Sequence, residues 1–97
     1  MKAHEVVSEG KHVGWVIFCQ ACGCGHRFDD RWTFNGDQEK PTFRPSMLVH
    51  GWKTDGTELP GYRIQKRCHS LVTDGKIQYL DDCEHEMKGK TVDLEDF

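Results

Sequence analysis

The sequence predicts a small, mainly β fold, and three of its features lead to this prediction. Residues 12–19 form a β-branched and aromatic run that is too short for a confident helix and is typical of a buried strand. Asp74-Gly75 separates two alternating runs, as in a tight hairpin. Cysteines and histidines gather at three points of the chain. A chain of 97 residues has the length of one domain, so we expect residues 1–97 to fold around one small core.

The remaining elements are short and follow in order. Trp32–Asp37 predicts a short strand that runs into an Asn-Gly turn, and 47–50 predicts a further strand. Thr91–Leu94 predicts the last strand. One helical turn over Glu84–Lys88, closed by Gly89, would make the fold a small α+β one, which is the alternative.

The clearest element is the hairpin over 62–82. A two-residue turn at Asp74-Gly75 would pair Thr73 with Lys76. Alternation then gives each face of the hairpin its own side chains. One face carries Cys68, Ser70, Val72, Ile77, Tyr79 and Asp81, and the other carries His69, Leu71, Thr73, Gln78, Leu80 and Asp82. Cys83 continues on the Cys68 face, while His69 points to the opposite side.

The five cysteines favour a bound metal over disulfides. An odd number of thiols cannot all pair within one chain, and the opening residues lack an apolar run of signal-peptide length. No stretch of about 18 apolar residues is present to cross a membrane. We therefore expect a cytoplasmic protein without a membrane segment, whose reduced thiols bind Zn²⁺.

The ligand spacing favours a zinc knuckle joined to the end of the hairpin. Cys19 and Cys22 have the standard two-residue spacing and follow a strand directly. Tetrahedral zinc needs a second pair, for which the sequence offers Cys83 with either Cys68 or His85. The choice between these last two stays open.

Charge argues against nucleic acid as the partner. The net charge is −3, and residues 81–97 carry seven acidic side chains against two lysines. Such a segment repels phosphate backbones and suits a protein partner better. The knuckle and the basic strand 63–67 are the two features that would support nucleic-acid binding instead. The sequence does not indicate an oligomeric state.

Six ordered motifs resemble a family of small phage and prophage proteins of unassigned function, whose members are often labelled "ammonia monooxygenase". These motifs are Trp32–Asp37, Pro41–Ser46, Arg67–Ser70, Asp74–Leu80, Asp82–His85 and Gly89–Leu94. The resemblance implies a metal-binding accessory protein that acts on a host system. It also aligns a family histidine, downstream of the Cys-x-x-Cys, with His26. An oxygenase is not implied, because that chemistry needs a membrane-embedded copper or iron apparatus.

Two functions from different classes follow. A closed set of four protein ligands favours a structural zinc in a non-enzymatic module that binds a protein, such as a host factor or a counter-defence target. The alternative is a zinc-dependent hydrolase with an open coordination position, for which His69, Glu86, Asp37 and Asp81 are the candidate acid and base groups. Ser46 lies in a proline-bracketed segment, where a polar residue can be functional; the simpler interpretation is that it bonds local backbone.

Overall fold

The computed structural model describes residues 1–53 and 64–97, with side chains for 1–49 and 67–97. Within these ranges the chain forms nine strands and no helix. The strands are β1 His4–Ser8, β2 Lys11–Cys19, β3 Cys24–Phe28, β4 Thr33–Phe34, β5 Phe43–Arg44, β6 Met47–Lys53, β7 Ile64–Thr73, β8 Lys76–Tyr79 and β9 Thr91–Asp93. The mainly β prediction is confirmed. The α+β alternative is wrong, because residues 84–88 form turns and bends.

The first sheet has the order β1-β2-β3, with antiparallel neighbours. Its central strand is the predicted buried run, and its side chains Ile17 and Cys19 are fully buried. Cys19 pairs with Cys24 across the hairpin, so the turn between them carries Cys22. The Cys-x-x-Cys motif therefore lies where the sequence predicts it, directly after a strand.

The second large sheet has the order β6-β7-β8-β9, again antiparallel. Thr73 pairs with Lys76 as predicted. Asp74 and Gly75 both have positive φ, at 49° and 77°, as a two-residue turn of this kind requires. The predicted start of the hairpin, at residues 62 and 63, lies outside the described part of the chain.

An aromatic stack joins the first sheet to the short β4-β5 ribbon. The ring of Phe43 lies parallel to Phe28 at 4.0 Å and stacks on Phe34 at 4.8 Å. Trp32 meets Phe28 edge to face at 5.4 Å, and its indole N–H donates to the backbone carbonyl of Ser46 at 3.4 Å. These contacts anchor the proline-bracketed segment and fix Ser46 at the point where β6 begins.

Candidate metal centre and active site

Three cysteines and one histidine from both large sheets converge on one point. They are Cys19 at the end of β2, Cys22 in the following turn, His26 in β3 and Cys68 in β7. One possible ligand atom from each lies within 4.8 Å of the other three. The group has the geometry to hold a metal ion, and such an ion would cross-link the two sheets.

The residues fit a tetrahedral metal in distance and in donor type. Two thiolates bound at about 2.3 Å to a tetrahedral zinc are about 3.8 Å apart, and Cys19 Sγ and Cys68 Sγ are 3.9 Å apart. His26 is only 4% exposed. Its Nε2 atom is buried without a hydrogen-bond partner among the described residues. Buried polar nitrogens normally have a partner, and a metal ion would supply one.

The thiols also need a cation if all three are to ionise. Hydrogen bonds from Cys22 and Cys68 hold the pKa of Cys19 far below its ordinary value. In return, Cys19 raises the pKa of Cys22 to about 12 and raises the pKa of Cys68 as well. Adjacent negative charges disfavour each other, whereas a bound divalent cation stabilises several thiolates together.

The other two predicted ligands, Cys83 and His85, form a second group that shares Cys68. Cys83 Sγ accepts the backbone N–H of His69 at 3.2 Å and lies 3.1 Å from the backbone carbonyl of His69, to which the thiol can donate. His85 Nδ1 accepts the backbone N–H of Met87 at 3.2 Å. The structure thus brings Cys19, Cys22 and Cys68 of the predicted set together with His26, for which the sequence left open a role as ligand, as hydrogen-bond donor beside the metal or as surface residue. The signal for His26 was the family-like histidine after the Cys-x-x-Cys.

On the outer face of the second sheet, three side chains form a hydrogen-bonded chain. Ser46 Oγ lies 2.8 Å from His69 Nε2. His69 Nδ1 lies 3.0 Å from Asp82 Oδ2 and 3.1 Å from Asp82 Oδ1. The tautomer with its proton on Nδ1 satisfies both contacts, since it donates to the carboxylate and leaves Nε2 to accept the hydroxyl proton. This is the arrangement of a Ser-His-Asp catalytic triad.

Strand register explains why these three residues meet. Leu48 pairs with His69 across β6 and β7, so Ser46, two residues earlier, lies diagonal to His69 on the same face. On the other side, the Leu80 N–H donates to the His69 carbonyl at 2.9 Å. Asp82, two residues after Leu80, lies near the opposite side of the imidazole. The histidine is therefore held between its two partners by β6, by β7 and by the segment that follows β8.

Backbone contacts fasten the Asp82 segment to β7. Cys83, the residue directly after Asp82, contacts the backbone N–H and carbonyl of His69. One residue further, the Glu84 N–H donates to the Arg67 carbonyl at 2.9 Å, and the Glu84 carboxylate accepts the Arg67 N–H at 2.8 Å. Because residues 83 and 84 are tied to β7, the carboxylate of Asp82 is held beside the imidazole.

The triad is open to a substrate. The side chain of His69 is 25% exposed and that of Asp82 is 47% exposed, and Ser46 is half-buried. A reacting group can therefore approach Ser46 Oγ from solvent while the imidazole keeps its orientation.

The sequence named His69 as a candidate acid or base, with Asp37 and Glu86 among the other candidates. Asp37 is exposed and its Oδ1 accepts the backbone N–H groups of Glu39 and Lys40, as in a local turn. Glu86 is exposed. The ring nitrogens of His69 bond Ser46 and Asp82 instead. Alternation had placed Asp82 on the His69 face, whereas no local signal marked Ser46 as its partner.

The fold and site define a class: a small all-strand protein that combines a Cys/His cluster with a Ser-His-Asp triad. Comparison with known families gives a match. The model described as "Bacterial ubiquitination-like system serine protease (BubE)" matches residues 1–80, so the chain belongs to the BubE family. Ser46 and His69 lie within the matched range, and Asp82 lies two residues beyond it. Neither the curated proteins nor the solved structures contain a match. Within the described ranges, no helix is long and apolar enough to cross a membrane.

Proposed function

We propose that this protein is a serine peptidase of a bacterial ubiquitination-like system, with Ser46 as nucleophile, His69 as general base and acid, and Asp82 as the group that orients the imidazole. The observation that carries the proposal is the continuous chain of hydrogen bonds Ser46–His69–Asp82. The family description supports both the reaction class and the biological setting.

The geometry suits acyl transfer. Ser46 Oγ attacks the carbonyl carbon of a peptide or isopeptide bond as His69 Nε2 takes the hydroxyl proton. His69 then gives that proton to the departing nitrogen, the C–N bond breaks, and the acyl group remains bonded to Ser46. Water attacks this ester, again losing a proton to His69, which returns it to Ser46 Oγ as the acid product leaves. The Asp82 carboxylate stabilises the imidazolium in both halves of the reaction.

The metal in this proposal is a structural Zn²⁺ held by Cys19, Cys22, His26 and Cys68. Four protein donors fill a tetrahedral shell and leave no position for water or substrate. Zinc as the reacting centre, which was the alternative from sequence, is disfavoured for that reason. The ion would instead tie the β2–β3 hairpin to β7, next to His69.

The partner that follows from this function is a protein substrate. A non-enzymatic interaction module was the function that the cysteines alone favoured, but a triad with hydrogen bonds of this length is not needed for docking. The substrate would be a protein of the ubiquitination-like system named in the family description. A role of this peptidase in a phage, acting on a host system, would be consistent with the resemblance described above.

Covalent labelling tests the nucleophile directly. A fluorophosphonate probe reacts with serines that an adjacent base activates, so it should modify the purified protein at Ser46, as located by peptide mass spectrometry. Ser46→Ala should abolish labelling. Ser8→Ala, which removes an exposed serine in β1, should leave labelling unchanged. Equal labelling of wild type and Ser46→Ala would overturn the proposed function.

A further inference from the structure

The outer face of the second sheet carries an exposed apolar residue beside the triad. Leu48 is 52% exposed, although its strand neighbour Met47 is 4% exposed in the core. Half-exposed leucines occur singly on many surfaces, so exposure alone does not define a site. The position of Leu48 relative to Ser46 and His69 makes it informative.

Strand register places Leu48 on the same sheet face as Ser46 and His69. Leu48 pairs directly with His69, and directly paired residues of antiparallel strands share a face with Cβ atoms about 5 Å apart. Leu48 also lies two residues after Ser46 in β6, so it shares that residue's face. Any group bonded to Ser46 Oγ must therefore lie close to the Leu48 side chain.

Further leucines continue the apolar surface. The Met47–Ser70 pair, extended by one residue, brings half-buried Leu71 opposite Ser46. Half-buried Leu80, the residue directly after β8, lies beside His69, because its N–H donates to the His69 carbonyl. Leucines thus lie next to Ser46 and on both sides of His69, on the face where a substrate must bind.

We propose that Leu48, together with Leu71, forms the subsite that binds an apolar group on the acyl side of the scissile bond. The inference rests on the proposed peptidase function. The acyl group stays bonded to Ser46 after the leaving group departs, so it is the part of the substrate that remains beside β6. An apolar group there would cover the exposed face of Leu48, and burial of apolar surface would favour its binding.

Hydrolysis of a series of p-nitrophenyl esters tests this subsite. Acetate, butanoate and hexanoate present the same leaving group with acyl chains of increasing length. Each methylene that is fully buried can raise kcat/KM up to about fourfold. We therefore expect wild-type kcat/KM to rise with chain length, and Leu48→Ser to lower the hexanoate-to-acetate ratio by about tenfold. Leu48→Met should preserve most of the preference, because methionine offers similar apolar area.

Matched controls separate this proposal from the function on which it rests. Val7→Ser removes an equally exposed apolar side chain, 54% accessible, from β1 in the other large sheet, and should leave the ratio unchanged. Acetate hydrolysis that depends on Ser46 would show that the triad works. Two results would contradict the subsite while leaving the proposed peptidase function in place. In both, Ser46-dependent hydrolysis is present; in the first, acyl chain length has no effect on kcat/KM, and in the second, Leu48→Ser keeps the wild-type hexanoate-to-acetate ratio. Equal hydrolysis by wild type and Ser46→Ala would contradict both the subsite and the proposed peptidase function.

Discussion

Ser46 Oγ and His69 Nε2 lie 2.8 Å apart although 23 residues separate them in the chain. The pairing of β6 with β7 accounts for this contact, because it sets Ser46 diagonal to His69 on one face. Strand β7 also carries Cys68, the residue before His69, whose side chain points to the opposite face and joins the candidate metal cluster. The candidate triad and the candidate metal cluster therefore share the Cys68-His69 dipeptide.

Removal of the nucleophile should abolish hydrolysis without unfolding the protein. Ser46→Ala loses the attacking oxygen, and in other triads this costs about 10⁴-fold or more in kcat. We expect circular dichroism and metal content to match the wild type, since Ser46 is only half-buried and the substitution fills no space. Ester hydrolysis measures the effect. Activity within tenfold of wild type would contradict the assignment.

Neutralising the orienting carboxylate should impair catalysis more than substrate binding. Asp82→Asn keeps the shape of the side chain but removes the charge that stabilises the imidazolium, so kcat should fall on the order of 10³-fold or more while KM changes little. Asp81→Asn is the matched control, because Asp81 is an exposed neighbour and does not contact the imidazole. Comparable losses in both variants would point to a general charge effect instead of a triad.

Loss of the proposed metal should destabilise the protein, because the ion would cross-link the two large sheets. Structural zinc sites in small modules contribute about 10–16 kcal/mol of apparent binding free energy, so Cys19→Ser, His26→Ala or a strong chelator should lower Tm sharply. Activity should fall as well, because Cys68 precedes His69 in β7. Cys24→Ser should retain one zinc per chain, since Cys24 is exposed and outside the cluster. Elemental analysis together with thermal melting measures both effects, and an unchanged Tm in metal-free protein would contradict a structural role.

Cys83 should act through the backbone of His69 and not through the metal. Cys83→Ala removes two contacts to the N–H and carbonyl of His69. One hydrogen bond contributes about 1 kcal/mol, so we expect kcat to fall by about fivefold to tenfold with metal content unchanged. Cys83→Ser, which keeps a donor and an acceptor, should restore part of the rate. Loss of the bound metal in both variants would instead support Cys83 as a ligand, as the spacing first suggested.

Local signals accounted for much of the fold. Positive φ at Asp74 and Gly75 follows from the preferences of that dipeptide, and the two-residue turn fixed the register of β7 with β8. That register also placed His69 and Asp82 on one face. The helical turn predicted for 84–88 failed because the segment is held by contacts to β7 at Arg67 and His69, which its own sequence does not reveal.

The site was only partly predictable for a related reason. Cys19 and Cys22 are neighbours in sequence, so their spacing predicts a shared ligand role. Whether His26 or Cys83 completes the set of four candidate metal ligands depends on which strand faces Cys19 and Cys22. Ser46 has no diagnostic neighbours of its own. Its role became visible only through the position of β6 beside β7.

The amino-acid sequence by itself determined the hairpin of β7 and β8, the position of the Cys-x-x-Cys motif after a strand, and the separation of Cys68 from His69 onto opposite faces, because alternation and turn geometry act over a few residues. Tertiary structure decided which distant groups meet: His26 with the three thiols, and Ser46 with His69. The physical reason is that pairing between strands far apart in the chain depends on packing of the whole core, and a shift of one residue in that pairing would turn every side chain to the other face.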